Sequence, residues 1–360
     1  MKGVQCCHSM PHGYHTLLLL EEGGSLVGFG RNKQGQLGLG HCEDQLVPVI
    51  VPWDGPRPVQ VEWGRQHSLV LDEEGSVWEA GRFCSASTSA TFQPIEGLPV
   101  MATIACSAFL SAALDMDGAL WVWTSNQQLM WASAVPSQVK GFPILSKVAC
   151  GGSFLVGETS EGVLWVLGLN GRGQLGLGHT DEVKEPTIVQ SFGSAEGPSR
   201  SLGAFYEGIV LIDSEGVVFT AGDNDEGQLG RSGDEKVFLP INRIPCMSMA
   251  SCGNHHAIAL DEEGRVWTWG HGYDGQLGDG SNMDQLQPTL LQMPEEVIDV
   301  SAGGNHSLVF SQKGSLFVFG YNYNGTLGLN TTDNQSLPTI CPLRASPRHP
   351  VRCKQKSARF

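Results

Sequence analysis

The sequence predicts an all-β fold, a seven-bladed β-propeller of four-stranded antiparallel blades closed by an N-terminal strand. Three observations predict it. Glycine supplies 47 of the 360 residues, about twice the usual share of roughly 7%, whereas runs of helix-favouring Ala, Glu, Lys and Leu are scarce. One strand segment, which ends in glycine in six of its seven copies, recurs along the chain. Consecutive copies lie about 48 residues apart, a period typical of propellers and solenoids.

The repeated strand segment is rich in apolar, β-branched and aromatic residues. Its copies are SLVGFG (25–30), SVWEAG (76–81), ALWVWT (119–124), VLWVLG (163–168), VVFTAG (217–222), RVWTWG (265–270) and SLFVFG (315–320). Six copies have an aromatic residue at the same place: Trp78, Trp121, Trp165, Phe219, Trp267 and Phe317. Such strands suit a sheet that is covered on both faces, so we interpret the tryptophans as packing residues.

A short turn precedes each strand segment, and it is acidic in most copies. DEEG (72–75 and 261–264), DMDG (115–118) and DSEG (213–216) predict hairpins in which the aspartate side chain caps the turn and the glycine is left-handed. One such unit cannot cover its own sheet faces, so about seven should pack radially. The copies end without polar caps, which favours a ring. We expect residues 1–7 to complete the last blade.

A glycine-rich loop follows five of the strands. GQLG (35–38, 173–176, 227–230 and 275–278) and GTLG (325–328) stand at one offset, which predicts tight turns whose leucines pack between blades. Gly171, Gly173 and Gly176 also match the dinucleotide-binding spacing. That site requires a helix directly after the glycines, and the residues that follow, with Pro186 among them, have no helical period. No cofactor is predicted.

Charge divides the chain into two regions. The formal net charge is −15, yet residues 341–360 contain six basic residues and no acid, which leaves 16 basic and 37 acidic residues in 1–340. We predict a propeller domain over 1–340 and a flexible basic tail over 341–360. The acidic body disfavours direct DNA binding except through the tail. No apolar run approaches the roughly 20 residues that span a bilayer, so we expect a soluble cytoplasmic or nuclear monomer.

Several motifs recur in a fixed order: Gly-x-x-His-Ser-Leu, the acidic turn, the strand that ends in Trp-Gly or Phe-Gly, and Asn-x-x-Gly-Gln-Leu-Gly. Together they resemble the regulator of chromosome condensation repeat over about residues 3–340. The resemblance implies a seven-bladed propeller. Copies two, three and five depart from the pattern, with FCSASTS (83–89), with Leu110 and Thr124, and with Gly208 in the histidine position. These departures indicate either adaptation to a partner or drift.

Four histidines occupy one repeated position: His15, His67, His256 and His306. On separate blades they would lie too far apart to share a metal, so no metal site is predicted and each should bond a neighbouring turn. Three cysteines stand four residues before this position and are interpreted as small buried apolar residues: Cys106, Cys150 and Cys252. No catalytic constellation stands out, and we predict that the chain is not an enzyme.

Rigidly held turns on a propeller face are suited to partner binding. The turns before the histidine position include aromatic, Arg and amide residues, which are common in interface hot spots. The predicted partner-binding residues are Arg65, Gln66, Phe109, Ser153, Tyr206, Glu207, Asn254, His255 and Asn305. The resemblance implies that, in the family's nucleotide-exchange factor, these turns contact a small GTPase and carry aspartates on two blades. This chain has no aspartate there, although His255 matches the family's doubled histidine.

The opposite face is predicted to gather the acidic turns: Glu21, Glu22, Asp72, Glu73, Glu74, Asp115, Asp117, Glu161, Asp213, Glu215, Asp261, Glu262 and Glu263. Lys313 interrupts this ring at the seventh blade. The acids form either an ordinary solvated surface or a field that steers a basic partner.

These observations predict a non-enzymatic protein-interaction platform that regulates a small GTPase or a ubiquitin-pathway partner. One alternative is a guanine-nucleotide exchange factor for a Ran-, Rab- or Arf-like GTPase, which would accelerate the release of labelled GDP. A second alternative is a chromatin-associated adaptor that acts through the basic tail, a role that deletion of residues 341–360 would abolish.

Overall fold

The structure is a computed structural model that describes residues 4–5, 14–20, 24–82, 88–124, 129, 131–190 and 197–343. In these ranges the regular elements are 28 β-strands, which form seven four-stranded antiparallel sheets. The predicted fold, an all-β seven-bladed propeller, is therefore confirmed. The described residues contain no helix that is long and apolar enough to cross a membrane.

The chain builds the blades one after another. Blades 1 and 2 consist of β1 (Val4–Gln5), β2 (His15–Leu20), β3 (Ser25–Gly30), β4 (Gln45–Val51), β5 (Pro58–Trp63), β6 (His67–Asp72), β7 (Val77–Arg82) and β8 (Thr88–Pro94). Blades 3 and 4 consist of β9 (Met101–Cys106), β10 (Leu110–Asp115), β11 (Leu120–Thr124), β12 (Ser137–Gln138), β13 (Lys147–Cys150), β14 (Phe154–Glu158), β15 (Leu164–Gly168) and β16 (Val183–Ile188).

Blades 5 to 7 continue the same order. They consist of β17 (Ser201–Phe205), β18 (Gly208–Ile212), β19 (Val218–Gly222), β20 (Leu239–Pro240), β21 (Met247–Cys252), β22 (His256–Asp261), β23 (Val266–Gly270), β24 (Gln285–Leu291), β25 (Val297–Ala302), β26 (His306–Ser311), β27 (Leu316–Gly320) and β28 (Gln335–Ile340). Each blade therefore comes from one continuous segment.

Strand order gives the propeller two distinct faces. The first strands of blades 2 to 7 contact one another in sequence order, so they line the axis and later strands lie outward. The turn between the first and second strands and the loop between the third and fourth emerge on one face, which we call the Gly-x-x-His face. The hairpin between the second and third strands and the connection to the next blade emerge on the other, which we call the hairpin face.

The acidic hairpins have the predicted geometry. Asp72 Oδ1 accepts hydrogen bonds from the amides of Glu74 (3.0 Å) and Ser76 (2.9 Å). Its Oδ2 accepts a third from Trp78 Nε1 at 2.8 Å. Gly75 has a φ of 81°, in the left-handed region that favours glycine. The same three bonds recur in the hairpins of blades 3 and 6, which confirms the aspartate caps and ties the aromatic strand to its own turn.

The five glycine-rich loops, between the third and fourth strands of blades 1, 4, 5, 6 and 7, pack against the blade that is next around the ring or against their own fourth strand. Their leucines are fully buried: Leu37, Leu175, Leu229, Leu277 and Leu327. Asn32 Oδ1 accepts a hydrogen bond from the Leu37 amide (2.9 Å). Gly38 has a φ of 71°, and a Cβ there would lie 2.4 Å from the Phe92 ring of blade 2. The residues after Gly176 lead into strand β16 and form no helix, so these glycines belong to the architecture.

The ring closes where blade 7 meets blade 1. His306 Nε2 lies 3.1 Å from Thr16 Oγ1, and Thr326 Oγ1 donates to the carbonyl oxygen of Tyr14 at 3.0 Å. One apolar cluster contains side chains of both blades. The prediction that residues 1–7 complete the last blade is wrong, since β1 pairs with β2 in the first blade. Blade 7 already has four strands within residues 297–340, so it has no vacant inner position.

The three repeated cysteines have the predicted buried role. Cys106, Cys150 and Cys252 are at most 2% exposed on the innermost strands. Burial raises the thiol pKa of Cys106 and Cys150, which keeps both groups uncharged. These cysteines are therefore packing residues in the wall around the axis.

Candidate partner-binding face

Four buried histidines link neighbouring blades. The Nε2 atom of each lies beside a hydroxyl of the following blade: His15 beside Ser68 (2.9 Å), His67 beside Ser111 (3.0 Å), His256 beside Ser307 (3.0 Å) and His306 beside Thr16 (3.1 Å). The predicted structural role is confirmed, but the partner is a hydroxyl on a strand instead of a turn. No group of His, Cys, Asp and Glu in the described ranges is placed to hold a metal ion.

Burial keeps these imidazoles neutral. Desolvation lowers their pKa from 6.5 to about 3, and to about 4 for His67. Thr16 Oγ1 donates to the carbonyl oxygen of Thr326 (3.1 Å), so His306 Nε2 donates to the Thr16 oxygen. His306 is thus a neutral hydrogen-bond donor within the scaffold beneath the face.

Backbone hydrogen bonds join the Gly-x-x-His turns of adjacent blades. The Gly152 amide donates to the Tyr206 carbonyl (2.8 Å), and the Tyr206 amide donates to the Asn254 carbonyl (3.1 Å). The Asn254 amide donates in turn to Gly304 at 2.9 Å. The Tyr206 ring lies 2.3 Å from where a Cβ on Gly152 would stand. The turns are therefore held in place before any partner arrives, which reduces the entropy cost of binding.

The nine predicted partner-binding residues all lie on these turns. Eight are half-buried, and Asn254 is buried. Three pairs meet across blade junctions: the guanidinium carbon of Arg65 lies 5.8 Å from the centre of the Phe109 ring, the Tyr206 and His255 ring centres are 6.4 Å apart, and Asn254 Nδ2 donates to Asn305 Oδ1 at 3.0 Å. Gln66, Ser153 and Glu207 are not in such a pair within the described structure.

The loops between third and fourth strands, which sequence reasoning missed, add charged groups to the same face. Nε of Arg172 lies 3.9 Å from Oε2 of Glu207. Its Nη1 lies 3.5 Å from Oδ1 of Asp223 and 3.2 Å from Oδ2 of Asp225. Burial, followed by the Asp223 carboxylate, raises the pKa of Glu207. A signal for these loops was present in the sequence, because the two residues before each GQLG or GTLG vary while the loop around them does not.

His255 lies against one of these missed loops. Glu226 lies between two imidazoles, with Oε2 3.4 Å from Nδ1 of His255 and Oε1 3.2 Å from Nδ1 of His271. Nδ1 of His271 also lies 3.5 Å from Oδ1 of Asp284. A carboxylate from blade 5 therefore lies beside a half-buried ring of blade 6 on the face.

Tyrosines extend the face across blades 6, 7 and 1. Tyr273 and Tyr323 are 72% and 71% exposed at the same position of their loops. The Tyr321 ring centre lies 6.5 Å from that of Tyr323 and 5.2 Å from that of Tyr14. Tyrosine combines a large apolar area with a polar hydroxyl, which is why it is enriched at protein interfaces.

Charge is distributed unevenly over the Gly-x-x-His face. Blades 1 and 2 contribute four bases, Arg31, Lys33, Arg65 and Arg82, against two acids, Glu43 and Asp44. Blades 5 and 6 contribute nine acids against two bases, Arg231 and Lys236; the acids are Glu207, Asp223, Asp225, Glu226, Asp234, Glu235, Asp274, Asp279 and Asp284. An asymmetric surface of this kind can orient a charged partner before contact.

The hairpin face gathers the predicted acids of blades 2 to 6. Glu21 and Glu22 lie outside the described residues, as do residues 344–360 of the predicted basic tail. Some of the acids act within the scaffold, because Arg200 forms an ion pair with Glu262 and also donates from Nε to the Ser214 carbonyl at 3.0 Å.

Two protein-family models match this chain, and known proteins are similar to it. The RCC1-like domain matches residues 86–357, and the regulator of chromosome condensation (RCC1) repeat matches residues 23–71. The ultraviolet-B receptor UVR8 of Arabidopsis thaliana is 28% identical over 316 residues, which cover 80% of this chain and 70% of UVR8.

A human protein and a yeast structure are similar to parts of the chain. The probable E3 ubiquitin-protein ligase HERC6 of Homo sapiens is 38% identical over 266 residues, which cover 68% of this chain but 21% of HERC6. The crystal structure of Prp20p from Saccharomyces cerevisiae, studied for its binding to Gsp1p and histones, has a TM-score of 0.77 at 19% identity. It covers 87% of this chain and 84% of Prp20p. At that identity the likeness concerns the fold alone.

Proposed function

Since the chain belongs to the regulator of chromosome condensation (RCC1) family of β-propellers, we propose that it is a non-enzymatic platform whose Gly-x-x-His face binds and regulates a protein partner. One observation carries the proposal. The face presents half-buried Arg, Phe, Tyr and His side chains on turns held by backbone hydrogen bonds, with bases on blades 1 and 2 and acids on blades 5 and 6. Aromatic and Arg anchors supply most of the affinity of specific interfaces, and charge asymmetry sets partner orientation.

A small GTPase is the partner class that we propose first. Prp20p, which has the same fold, has been studied for its binding to Gsp1p, and the family resemblance implies that Gly-x-x-His turns make the GTPase contact in the exchange factor. The aspartates of that factor have no counterpart on these turns, so the proposal is binding without catalysed exchange. A ubiquitin-pathway protein is the other class, supported by the likeness to HERC6.

Affinity purification with mass spectrometry tests the face, run with and without GTPases locked in one nucleotide state. The variants Arg65→Ala, Phe109→Ala, Tyr206→Ala and His255→Ala each remove one anchor, and we expect at least one to reduce partner recovery about tenfold or more. Lys313→Ala is the matched control, since Lys313 lies on the hairpin face and is 73% exposed. Identical partner sets from wild type and all four variants would refute binding through this face.

Nucleotide exchange is separated from binding by a second measurement. Labelled GDP is loaded on a panel of Ran-, Rab- and Arf-like GTPases, and its release is followed with and without the propeller. The proposal expects an unchanged release rate from a GTPase that binds. Faster release would establish the exchange-factor alternative instead.

A further inference from the structure

We propose that the hairpin face of blades 2 to 4 carries a second docking site, for a protein segment that presents a large apolar side chain flanked by Lys or Arg. The site is formed by Val100, Met116 and Ile144, which we call the apolar pad. It lies on the face opposite the Gly-x-x-His turns, so it is independent of the proposed function above.

The pad consists of three exposed aliphatic side chains, two on the connections that lead into blades 3 and 4 and one on the hairpin of blade 3. Val100, Met116 and Ile144 are 56%, 53% and 74% exposed. The Met116 amide donates to the Val100 carbonyl at 3.2 Å, which connects the first two. Ile144 lies against the glycine of the same hairpin as Met116, since a Cβ on Gly118 would stand 2.7 Å from Ile144 Cγ2. The three residues, which are 16 and 28 positions apart in the sequence, therefore form one surface.

Glycines hold the pad in a fixed position. Val100 Cγ1 lies 2.4 Å from the place of a Cβ on Gly75, as Ile144 lies on Gly118. Both glycines have left-handed backbones, with φ values of 81° and 76°, that other residues adopt only with strain. The aliphatic side chains thus rest on rigid turns. A site that is already ordered loses little conformational entropy when a partner binds.

The fold itself does not require apolar residues at these places. The carbonyl at the position of Val100 accepts a hydrogen bond from the hairpin amide of its own blade, and the residues that do so in other blades are Arg57, Cys246 and Glu296. The position of Met116 is polar in the other described hairpins: Glu73, Ser160, Ser214, Glu262 and Gln312. Other blades of this propeller therefore carry charged, polar or small residues there. A contiguous apolar patch rimmed by polar groups is typical of an interaction site.

Charge around the pad indicates the chemistry of the partner. Glu73, Glu74 and Asp117 are exposed on the hairpins that form the pad, and none of them has an ion-pair partner in the described part of the chain. Carboxylates without cations attract Lys and Arg of a partner. A second copy docking by the same patch would bring these acids against their equivalents, and like charges in contact disfavour that occupant. The pad is thus matched to a basic segment with an apolar anchor.

Peptide selection tests the site directly, because it needs no identified partner. A random library of about 12-residue peptides is displayed on phage and panned on the full chain, with counter-selection on the double variant Met116→Ser with Ile144→Ser. We expect enriched peptides to combine a large apolar residue with Lys or Arg. Their affinity for the double variant should be lower by about tenfold or more. The charge-neutral, shape-conserving variant Glu73→Gln with Asp117→Asn should also weaken binding, and salt should weaken it further.

Met283→Ser is the matched control, since Met283 is 70% exposed but lies in a Gly-x-x-His-face loop of blade 6; peptide binding to it should be unchanged. Circular dichroism and melting curves establish that each variant is folded. The proposal is overturned if no peptide distinguishes wild type from the double variant, or if those that do lack basic residues. It is also overturned if peptides bind only after deletion of residues 344–360, because the chain's own basic tail would then occupy the pad.

Discussion

Blades 6, 7, 1 and 2 are each joined to the following blade by a buried histidine, whereas blades 3, 4 and 5 have other residues at the same repeated position, the histidine slot. We call the first group the histidine arc and the second the substituted arc. The slot residues of the substituted arc are Leu110, Phe154 and Gly208. The first and third of these departures were identified from the sequence, and the replacement of histidine by Phe154 in blade 4 was missed.

The substituted arc joins its blades by different chemistry. Between blades 3 and 4 the junction is apolar, with Leu110, Leu145 and Leu155 in one buried cluster. Between blades 4 and 5, Lys147 Nζ lies 2.8 Å from Glu158 Oε2, and the same carboxylate accepts the Ser199 amide at 2.7 Å. A blade junction therefore requires a filled space and satisfied hydrogen bonds, and the histidine–hydroxyl pair is one of several side-chain sets that meet both requirements.

The largest expected difference between the arcs is their response to acid. The folded histidines have pKa values near 3 to 4 against 6.5 when unfolded. Below pH 6.5 the unfolded chain binds protons that the folded chain does not, so stability is full above that pH and falls towards pH 4. Each histidine contributes up to about 1.4 kcal/mol per pH unit, several kcal/mol in all. Melting temperatures between pH 8 and 4.5 measure this loss.

Replacing one buried histidine by leucine, the residue type at Leu110 in the substituted arc, isolates the histidine contribution to that pH dependence. His256→Leu should reduce the slope of stability against pH below 6.5 by about a quarter, since one of four buried imidazoles is removed. Leu110→Met, a volume-conserving change in the substituted arc, should leave the slope as it is. An unaltered slope in the His256 variant would mean that carboxylates, and not the histidine arc, cause the acid sensitivity.

The next largest effect is expected at the ionic junction of blades 4 and 5. Lys147→Ala leaves the fully buried Glu158 carboxylate without its cation, and breaking a buried pair in this way costs about 3 kcal/mol. Chemical denaturation at pH 7.5 measures the change in unfolding free energy. Lys184→Ala serves as control, because Lys184 is 78% exposed and lies 3.8 Å from Glu182; such surface pairs contribute little. Equal, small losses of unfolding free energy in both variants would show that the Lys147–Glu158 pair does not stabilise its blade junction as the buried histidines do theirs.

A smaller loss of stability is expected where a buried histidine joins blade 7 to blade 1. His306→Leu should cost about 2 kcal/mol, because it deletes the bond to Thr16 and leaves that buried hydroxyl with one partner fewer. A double-mutant cycle with Thr16→Val should give a coupling energy of about 1 kcal/mol. Urea denaturation of the four proteins measures it. Additive losses would indicate that apolar packing alone closes the ring.

The smallest effect, and the one of opposite sign, concerns a carboxyl inside the histidine arc. Glu79 of blade 2 has Oε2 buried without a hydrogen-bond partner in the described structure, and burial raises its pKa from 4.5 to about 7. The folded chain keeps this proton where the unfolded chain has lost it, so stability falls as pH rises from 4.5 to 7. Glu79→Val copies Val122 and Val166 of blades 3 and 4 and should stabilise by about 1 kcal/mol at pH 8.

The pH dependence of that variant provides its control. The gain from Glu79→Val should shrink or vanish at pH 4.5, because the folded carboxyl is then protonated and the unfolded one, with a pKa of 4.5, is already half protonated. Melting temperatures of wild type and variant at the two pH values give the comparison. A gain that is the same at both pH values would trace the effect to packing and not to the buried charge.

Local features of the fold were predictable because each is decided within a few residues and then repeated. The caps at Asp72, the left-handed Gly75 and the buried Leu37 each follow from a short motif whose hydrogen bonds join neighbours in the chain. The turns that carry the nine candidate residues were found for the same reason, since they stand at a fixed distance before the histidine slot. Whether those residues bind a partner remains a prediction.

Features that depend on distant segments were not predictable. The strand at Val4–Gln5 is too short to select a blade by its own pattern, and its place follows from how the chain passes outward through each blade. Arg172 and Asp223 belong to the loops of different blades, and only strand order places them on the face with Glu207. The apolar pad was missed because its three residues, 16 and 28 positions apart in the sequence, come together only when neighbouring blades pack side by side.

The sequence by itself determined the number of blades, the chemistry of every repeated turn and the burial of the repeated positions, because side-chain alternation and turn hydrogen bonds act over a few residues. The tertiary structure decided how blades are joined, which loops share a face and where the ring closes. Those relations rest on contacts such as that of Thr16 with His306, 290 positions apart. They form only when seven sheets are packed around one axis, since no single repeat contains both partners.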